Sequence, residues 1–507
     1  MKILVVSTPV NTALRPPAGP AIVCAVCKSL GHEVAAMDLN IKFKNYCISH
    51  EIEYANFESG FARYRDLTED EYQIVETFID PYLKAIDEGQ FDLILISVFS
   101  MHSRLFTEFL CKKLRMFFKG RIAIGGMGID ETSVLADNES KFGVQLKRKG
   151  LIDDFIVGEA EISLVTYLQQ GQGSGVNNYQ VEQVQDLNTL PMPDYSFFNI
   201  HEYELVENKQ NFYITGSRGC VRKCTYCDVA KSWPKYRYRS GENIANEIIH
   251  NYENFGVTDY YFTDSLVNGN QKNFMQMCEI LAKYPFANKL NWGGQFIFLP
   301  QKSLKDEWFE IIAKAGGREF YVGVECGSDR IRKEMGKNFT NEDIDYQLEQ
   351  FKKNDLHVMF LMFTGYITET LADHQLTLDM FPRWQKYVAT GTITGIDLGM
   401  PLMVLANTPL ERMIDELDIR FIEGENSSLL WRSELNAELD FKERIRRRLE
   451  INEHAIQYTW PVWRGWQRLD DIKGLIIKNK LHISSPKYQK IIPIDSIENK
   501  KDPTVLS

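Results

Sequence analysis

Three cysteines fall within eight residues, Cys220-Val221-Arg222-Lys223-Cys224-Thr225-Tyr226-Cys227. Three thiolates this close, on a loop freed by Gly216 and Gly219, can each bind one iron of a 4Fe–4S cluster. The fourth iron then has no protein ligand and keeps an open coordination position for a substrate or cofactor. Arg218, Arg222 and Lys223 bring positive charge to offset the thiolates. A structural zinc site is the alternative; it wants four ligands, usually two pairs of Cys or His, and neither recurs within the next 20 residues. The chain has nine cysteines, an odd number with no secretory signal, so a disulfide framework is not expected. Cys24 and Cys27 form a Cys-x-x-Cys, but their spacing suits one helix face and reads as core thiols. Cys326 follows Glu325 at a strand end and reads as a packing residue, with a hydrogen donor as the alternative.

The elements that must hold these residues fall into three segments. Residues 1–170 alternate strand and helix signals: apolar runs at Lys2–Ser7, His32–Asp38, Phe91–Ser97, Arg121–Gly125 and Asp154–Val157, with helical patterns at Pro20–Leu30 and Ser103–Phe118. Short buried strands separated by helices predict a parallel, doubly wound sheet. Ligands on such sheets sit at the C-terminal strand edge, where the Gly125-Gly126-Met127-Gly128 turn would let backbone approach closely. Residues 171–205 open with Gly, Gln, Ser and Asn and read as a linker. Residues 206–410 give a second βα series, with strands expected at Phe212–Thr215, Asp259–Thr263, Leu290–Phe296, Glu319–Val324, Val358–Phe363 and Ile393–Val404, and helices at Asn243–Phe255 and Lys302–Ala315. Six such units predict a (β/α)6 partial barrel with its working residues at strand C-termini.

After Pro409 the pattern turns helical, and residues 411–507 are expected to form a helical C-terminal domain. Lys442–Arg448 (KERIRRR) reads as a solvated helix face rather than a nucleic-acid patch, because Glu443, Glu450 and Glu453 interleave it. The aromatic cluster Trp460–Trp466 reads as core, with a substrate channel as the alternative.

Composition narrows the field. The 507 residues are 44% hydrophobic and 25% charged, which excludes a disordered, collagen-like or small disulfide-stapled protein. A net charge of −11 argues against binding nucleic acid by bulk charge, so a nucleic-acid partner is not expected. Met1–Val10 reads as a first strand, and the apolar stretch His357–Ile367 falls short of the ~18 residues of a membrane span. A cytoplasmic protein without a membrane partner is therefore expected.

Cys-x-x-x-Cys-x-x-Cys after the first strand of a βα partial barrel resembles the radical S-adenosylmethionine (SAM) superfamily. Further motifs carry the likeness. Tyr226 takes the aromatic position before the last cysteine; Tyr261-Phe262-Thr263-Asp264-Ser265 resembles the second-strand polar motif; Gly323-Val324-Glu325-Cys326-Gly327-Ser328, followed by Met335-Gly336-Lys337, resembles the fourth-strand motif. Gly365-Tyr366-Ile367-Thr368-Glu369-Thr370 matches the fifth-strand turn, with Tyr366 where proline is usual, and Ala406-Asn407-Thr408-Pro409 stands for the usual Pro-Gly-Thr-Pro. In the first domain, Pro16-Pro17-Ala18-Gly19, Gly31-His32-Glu33-Val34, Gly125-Gly126 and Gly158-Glu159-Ala160-Glu161 resemble the cobalamin-binding-type domain that precedes many radical enzymes, and Leu190-Pro191-Met192-Pro193-Asp194 resembles its connector. The Asp-x-His-x-x-Gly that supplies the lower cobalt ligand in some relatives is absent.

The resemblance implies an α/β protein with an N-terminal Rossmann-like, cobalamin-binding-type domain, a radical SAM partial barrel and a helical C-terminal domain. Its cofactors would be a 4Fe–4S cluster on Cys220, Cys224 and Cys227, S-adenosylmethionine beside Tyr226, Asp264, Ser265, Glu325, Gly365 and Glu369, and cobalamin beside Gly125, Gly126, Gly158 and Glu159. The reduced cluster would cleave S-adenosylmethionine to a 5′-deoxyadenosyl radical, which takes hydrogen from an unactivated carbon. A C-methyltransferase is implied, with an electron donor such as flavodoxin or ferredoxin as partner and a substrate that the residues do not name. Two alternatives stand beside it: a cobalamin-independent radical SAM enzyme, methylthiotransferase-like or an oxidative modifier, and a non-catalytic iron–sulfur or SAM-binding sensor. A methylthiotransferase would carry three more cluster cysteines, and the spacing of Cys24, Cys27, Cys47 and Cys111 does not suit them.

Overall fold

Runs of Ile, Leu and Val form the first sheet of the computed structural model, which describes residues 1–9, 15–61, 66–129, 141–170, 183–203, 211–421 and 428–463. Strands β1 (Lys2–Ser7), β2 (Glu33–Asp38), β3 (Leu93–Ser97), β4 (Arg121–Gly125) and β5 (Asp154–Ile156) lie in the order β2-β1-β3-β4-β5. All four pairings are parallel, with Ile3 opposite Leu93 and Leu95 opposite Ala123. This is the doubly wound order whose ligand crevice opens between β1 and β3. Alternate residues feed two cores. Leu4, Val6, Ile94 and Ile96 meet Phe43, Phe57, Phe78 and Phe106 on one face; Ile3, Val5, Leu93 and Leu95 meet Cys24, Cys27 and Tyr167 on the other. Cys24 and Cys27 are thus core thiols of helix α1 (Ala18–Ser29), as their spacing predicts.

Between β2 and β3 the chain adds α2 (Leu39–Ser49), α3 (Tyr54–Phe61) and the 21-residue α4 (Glu69–Gly89), none of which the βα reading anticipated. A capping box starts α4: the Thr68 hydroxyl accepts from the Glu71 amide while the Glu71 carboxylate accepts from the Thr68 amide. Helices α5 (Arg104–Leu114), α6 (Phe142–Arg148) and α7 (Ala160–Gln170) complete the layers. Of the expected linker, residues 171–182 and 204–205 lie outside the described residues; residues 183–203 are packed rather than free, with Leu187, Tyr195 and Tyr203 buried. Residues 464–507, Trp466 among them, also lie outside the described residues.

The second βα series is present, with the ends of its first five strands within two residues of expectation. Strand β6 (Asn211–Ile214) is followed by a small antiparallel hairpin, β7 (Ser217–Arg218) with β8 (Arg237–Tyr238), and by helix α8 (Gly241–Phe255). Gly256, in the left-handed conformation, stops α8 as its place in the sequence predicts. Then come β9 (Asp259–Phe262), α9 (Gln271–Leu281), β10 (Asn291–Phe296), α10 (Asp306–Lys314), β11 (Gly317–Glu325), α11 (Asp329–Glu334), α12 (Asn341–Lys353), β12 (His357–Met362), α13 (Leu371–Ala389) and β13 (Ile393–Leu398). The last strand stops at Leu398, short of the expected Val404.

Two compact units divide the described residues: those within 1–221, 232–294 and 314–317 form the first, and those within 222–231, 295–313 and 318–463 the second. In the first, β6 pairs with β9 and β9 with β10, all parallel. In the second, β12 pairs in parallel with β11 and with β13. The segment expected to be helical after Pro409 is so at α14 (Pro409–Arg412) and α15 (Phe441–Gln457). Between them β14 (Ile419–Phe421) and β15 (Trp431–Ser433) form an antiparallel pair, and β16 (Val462–Trp463) extends the sheet beside β13.

The expectation for Lys442–Arg448 is overturned. Arg444, Arg447 and Arg448 are buried, at 0%, 3% and 1% exposure. Arg444 donates to the carbonyls of Leu402, Leu429 and Trp431 and lies 3.8 Å from the centre of the Trp431 ring, while Arg448 donates to those of Leu398 and Gly399. These carbonyls belong to the strand ends at Leu398 and Trp431 and to the irregular segments at Gly399, Leu402 and Leu429, and guanidinium forks satisfy several at once. Of the aromatic cluster read as core, Trp460 packs against Phe360 and Phe381, whereas Trp463 is 55% exposed and departs from that reading.

Candidate functional site

The site begins where β6 ends. In the first unit, Asp264 at the end of β9 accepts from the Gly216 amide at 2.8 Å and the Ser217 hydroxyl at 2.6 Å. It therefore ties the start of the cysteine loop to its neighbouring strand. Burial pushes its carboxyl up to about 7, against the pull of the Ser217 and Gly216 hydrogen bonds. Gly219, at φ +83°, sits so close to the Lys235 carbonyl that no side chain fits, and Cys220 follows it. The hairpin carrying this turn is anchored to the first domain. Arg237 pairs with Glu159 at 2.5 Å and donates to the Val184 carbonyl, and Arg218 meets Glu161 at 2.5 Å and Glu159 at 3.2 Å.

The second unit holds Cys224, Tyr226 and Cys227. The Cys227 amide donates to the Cys224 carbonyl in a tight turn, and Thr225 is fixed on both sides, its amide donating to Met335 and its carbonyl accepting from Leu410. The Tyr226 hydroxyl donates to Glu325 at 2.8 Å, and Lys337 reaches the same carboxylate oxygen at 2.8 Å while donating to the Gly323 carbonyl. Glu325 holds φ at +65°, a strained conformation for a residue with a side chain. Burial works against the charged form of Lys337, yet Glu325 and the Cys224 and Cys227 thiols outweigh it and hold the ammonium above its ordinary value. Burial likewise pushes the Cys224 thiol up, opposed by Lys337 and Arg222.

The fifth-strand turn is built inward. The Glu369 carboxylate accepts from the Gly365 and Tyr366 amides and from Arg447 at 2.9 Å. Gly365, at φ +78°, lies under the Arg444 side chain, which a Cβ there would strike. Tyr366, in the place where relatives carry proline, uses both groups a proline lacks: its amide donates to Glu369 and its hydroxyl meets the Thr225 hydroxyl at 3.0 Å.

The donors of the cysteine loop stand apart from the other thiols. Cys220, Cys224 and Cys227 are half-exposed, whereas Cys24, Cys27, Cys47, Cys111, Cys278 and Cys326 are all buried. Burial pushes the Cys326 thiol up to about 12 and leaves it a packing group against Ile331 and Met335. Among the described residues no three His, Cys, Asp or Glu side chains already stand as a metal-holding group. What fits iron here is the donor set: three accessible soft sulfurs with Lys337 beside two of them.

Residues 214–381 match the model of the Radical SAM superfamily. The chain carries a radical SAM domain. Among curated relatives, cytidylyl-2-hydroxyethylphosphonate methyltransferase of Streptomyces wedmorensis is 21% identical over 220 residues, covering 40% of this chain and 40% of that protein. A tRNA-2-methylthio-N(6)-dimethylallyladenosine synthase of Thermotoga petrophila is 26% identical over 192 residues, covering 36% of this chain and 43% of that protein. The matches thus span less than half the length of these relatives. The fold extends further. The radical S-adenosylmethionine methyltransferase TsrM of Kitasatospora setae superposes with a TM-score of 0.59 at 15% identity, covering 87% of this chain and 82% of that one. The cobalamin-dependent S-adenosylmethionine radical enzyme OxsB gives a TM-score of 0.61 at 15% identity, over 98% of this chain and 76% of that one. The architecture is therefore a Rossmann-like domain followed by a radical SAM domain.

Within the radical SAM domain the expected residues divide. Tyr226 and Glu325 form one hydrogen-bonded group, to which the structure adds Lys337; its place two residues after Met335 in the quoted motif was the available signal. Asp264 is committed to the loop backbone, and Glu369 and Gly365 to their own turn. Ser265, next to Asp264, is half-buried. Glu159, expected beside cobalamin, is spent on Arg237 and Arg218 instead, and Gly158 precedes it at φ +99°. Arg218, expected to offset the thiolate charge, pairs with Glu161 and Glu159. At the strand edge of the first domain, Gly126 at φ +110° closes on the Val98 carbonyl and Gly125 on that of Ile156. Phe99, Met101 and Met127 are 57%, 58% and 58% exposed at that same edge.

Proposed function

We propose that this chain is a radical SAM enzyme that holds a 4Fe–4S cluster on Cys220, Cys224 and Cys227, binds S-adenosylmethionine and cobalamin, and acts as a C-methyltransferase. The observation that carries the reading is the exposure of the thiols: the three half-exposed cysteines of the nine are those of the motif, within the domain that matches the superfamily. When bound, the cluster supplies one electron to the sulfonium of S-adenosylmethionine, which gives the site its power over unactivated C–H bonds. The chain's own residues hold the parts. Asp264 fixes the loop that presents Cys220. Lys337 and Tyr226 orient the Glu325 carboxylate, and Lys337 offsets thiolate charge at Cys224 and Cys227. Glu369 braces the fifth-strand turn as a positioning residue. The cobalamin assignment is supported by the edge of the first sheet, where Gly125 and Gly126 leave the backbone bare and Phe99, Met101 and Met127 offer the apolar surface a flat macrocycle needs. Of the other two residues read beside cobalamin, Gly158 holds φ at +99° and Glu159 pairs with Arg237 and Arg218. A cytoplasmic setting and a flavodoxin- or ferredoxin-type donor belong to the same proposal. No helix among the described residues is long and apolar enough to cross a membrane.

Anaerobic reconstitution with iron and sulfide tests the reading. A broad visible cluster absorption is expected, lost when Cys220, Cys224 and Cys227 are all replaced by alanine, and the reduced protein should release 5′-deoxyadenosine from S-adenosylmethionine. Iron retained by the triple variant overturns the cluster assignment. Hydroxocobalamin that washes off on desalting favours the cobalamin-independent alternative.

A further inference from the structure

The barrel strands of the first unit have two faces. Phe212 and Tyr260 face the helix layer: Phe212 packs on Phe255 of α8, and the Tyr260 hydroxyl donates to the Ile248 carbonyl. Strand alternation therefore turns Tyr213 and Tyr261 to the inner face, where they sit opposite each other in register with ring centres 6.3 Å apart. Thr215 and Thr263 follow them toward the C-terminal end, their hydroxyls 2.8 Å apart.

Arg15 reaches this face from the segment that enters α1. Its guanidinium lies 4.7 Å from the Tyr213 ring centre and 5.3 Å from that of Tyr261. The other arginines around the first strand each meet a carboxylate: Arg218 meets Glu161, Arg237 meets Glu159 and Arg239 meets Glu247. Arg15 does not. Its Nε and Nη1 are cut off from water and have no hydrogen-bond partner among the described residues. The two tyrosine faces attract the cation but accept none of its N–H donors in the way a carboxylate would. Two guanidinium donors, Nε and Nη1, thus lack an acceptor among the described residues of a chain whose net charge is −11.

We infer that Arg15, flanked by Tyr213 and Tyr261, is a binding residue for an anionic group of the substrate, a carboxylate or a phosphoryl oxygen. The inference rests on the reading that the inner face of the radical SAM barrel receives the substrate, and it deepens that reading by naming the substrate's chemistry. An oxyanion there would satisfy the orphaned donors with charge-assisted hydrogen bonds. The paired threonine hydroxyls offer it neutral partners toward the strand ends.

The test measures the thermal unfolding midpoint of the reconstituted full chain in inorganic phosphate, in acetate and in potassium chloride of equal ionic strength. Binding to the native state raises the midpoint by mass action. Wild type should be stabilised by phosphate or acetate above the chloride control, and the anion with the larger effect identifies the group. Arg15→Gln should lose this extra stabilisation, and Arg15→Lys should keep it at an affinity on the order of tenfold weaker, since a lysine keeps the charge without the planar fork. Equal anion stabilisation in wild type and Arg15→Gln, or none above chloride in wild type, overturns the inference. Release of 5′-deoxyadenosine, scored on the same samples without added substrate, reports separately on the enzymatic reading.

Discussion

The loop after β6 and the turn after β12 are each tied down by a buried carboxylate, and the two are satisfied in opposite ways. Asp264 receives two neutral donors, the Gly216 amide and the Ser217 hydroxyl, and its carboxyl is pushed up to about 7 by burial. Glu369 receives two amides and, in addition, the guanidinium of Arg447. The difference teaches that a buried carboxylate at a strand end can close a loop through neutral donors alone or with a guanidinium added to them. It also separates two kinds of loop. One presents Cys220 and is closed by a carboxyl that burial raises to about 7; the other is a brace riveted by Arg447 of a helix far along the chain.

Removing the rivet should have the largest effect. Arg447 and Glu369 are almost fully buried, so Arg447→Ala strands a carboxylate in the interior and should cost about 3–5 kcal/mol in urea unfolding. The double variant Arg447→Met with Glu369→Gln, which removes both charges, should recover most of that loss. If Arg447→Ala and Asp264→Ala cost the same, the contrast between the two regions fails.

The pH dependence of stability sharpens the same contrast. The Asp264 carboxyl is raised from an ordinary 3.8 to about 7 in the fold, so its protonated form is the one the fold favours. Its stabilising contribution is fully present below about pH 4, where both folded and unfolded chains are protonated, and is lost as pH rises to about 7. The full shift corresponds to on the order of 4 kcal/mol. Asp264→Asn should flatten that part of the pH profile between pH 4 and pH 7, measured as the difference from wild type in denaturant unfolding. An unchanged slope would show that burial does not raise the Asp264 carboxyl.

The sequence made one side of this comparison readable and hid the other. The strands, the cysteine loop and the position of Asp264 follow from local signals: period-two apolar runs, glycine stops, and Cys spacing, all set by residues within a few positions of one another. The rivet does not. KERIRRR carries the charge pattern of a solvated helix, and only the convergence of distant partners turns its arginines inward: the carbonyls of Leu402, Leu429 and Trp431 on Arg444, those of Leu398 and Gly399 on Arg448, and the Glu369 carboxylate on Arg447. The same blindness affected Glu159, whose partners Arg218 and Arg237 lie dozens of residues away. In contrast, the three helices between β2 and β3 left a local mark, the Thr68–Glu71 capping box, that period counting alone passed over.

The smallest expected effect separates the two glycines under these carboxylates. Gly216 and Gly365 both stand next to the group that closes their loop, but for different reasons. A methyl at Gly216 would press on the Ile244 side-chain end and on an Asp264 oxygen, both of which can shift by a few tenths of an ångström. A methyl at Gly365 would meet the stem of Arg444, itself locked by three carbonyls, and would also force a side chain into φ +78°. Gly365→Ala should therefore cost about 2–3 kcal/mol, the sum of overpacking and backbone strain. Gly216→Ala should cost about 1 kcal/mol, mostly overpacking. Pairing Gly365→Ala with Arg444→Ala tests the cause: if the clash dominates, the second substitution adds less than its own cost, and a double-mutant cycle reads a coupling of about 1 kcal/mol. The same cycle between Gly216→Ala and Arg444→Ala should read close to zero, because in that loop the arginine has no part.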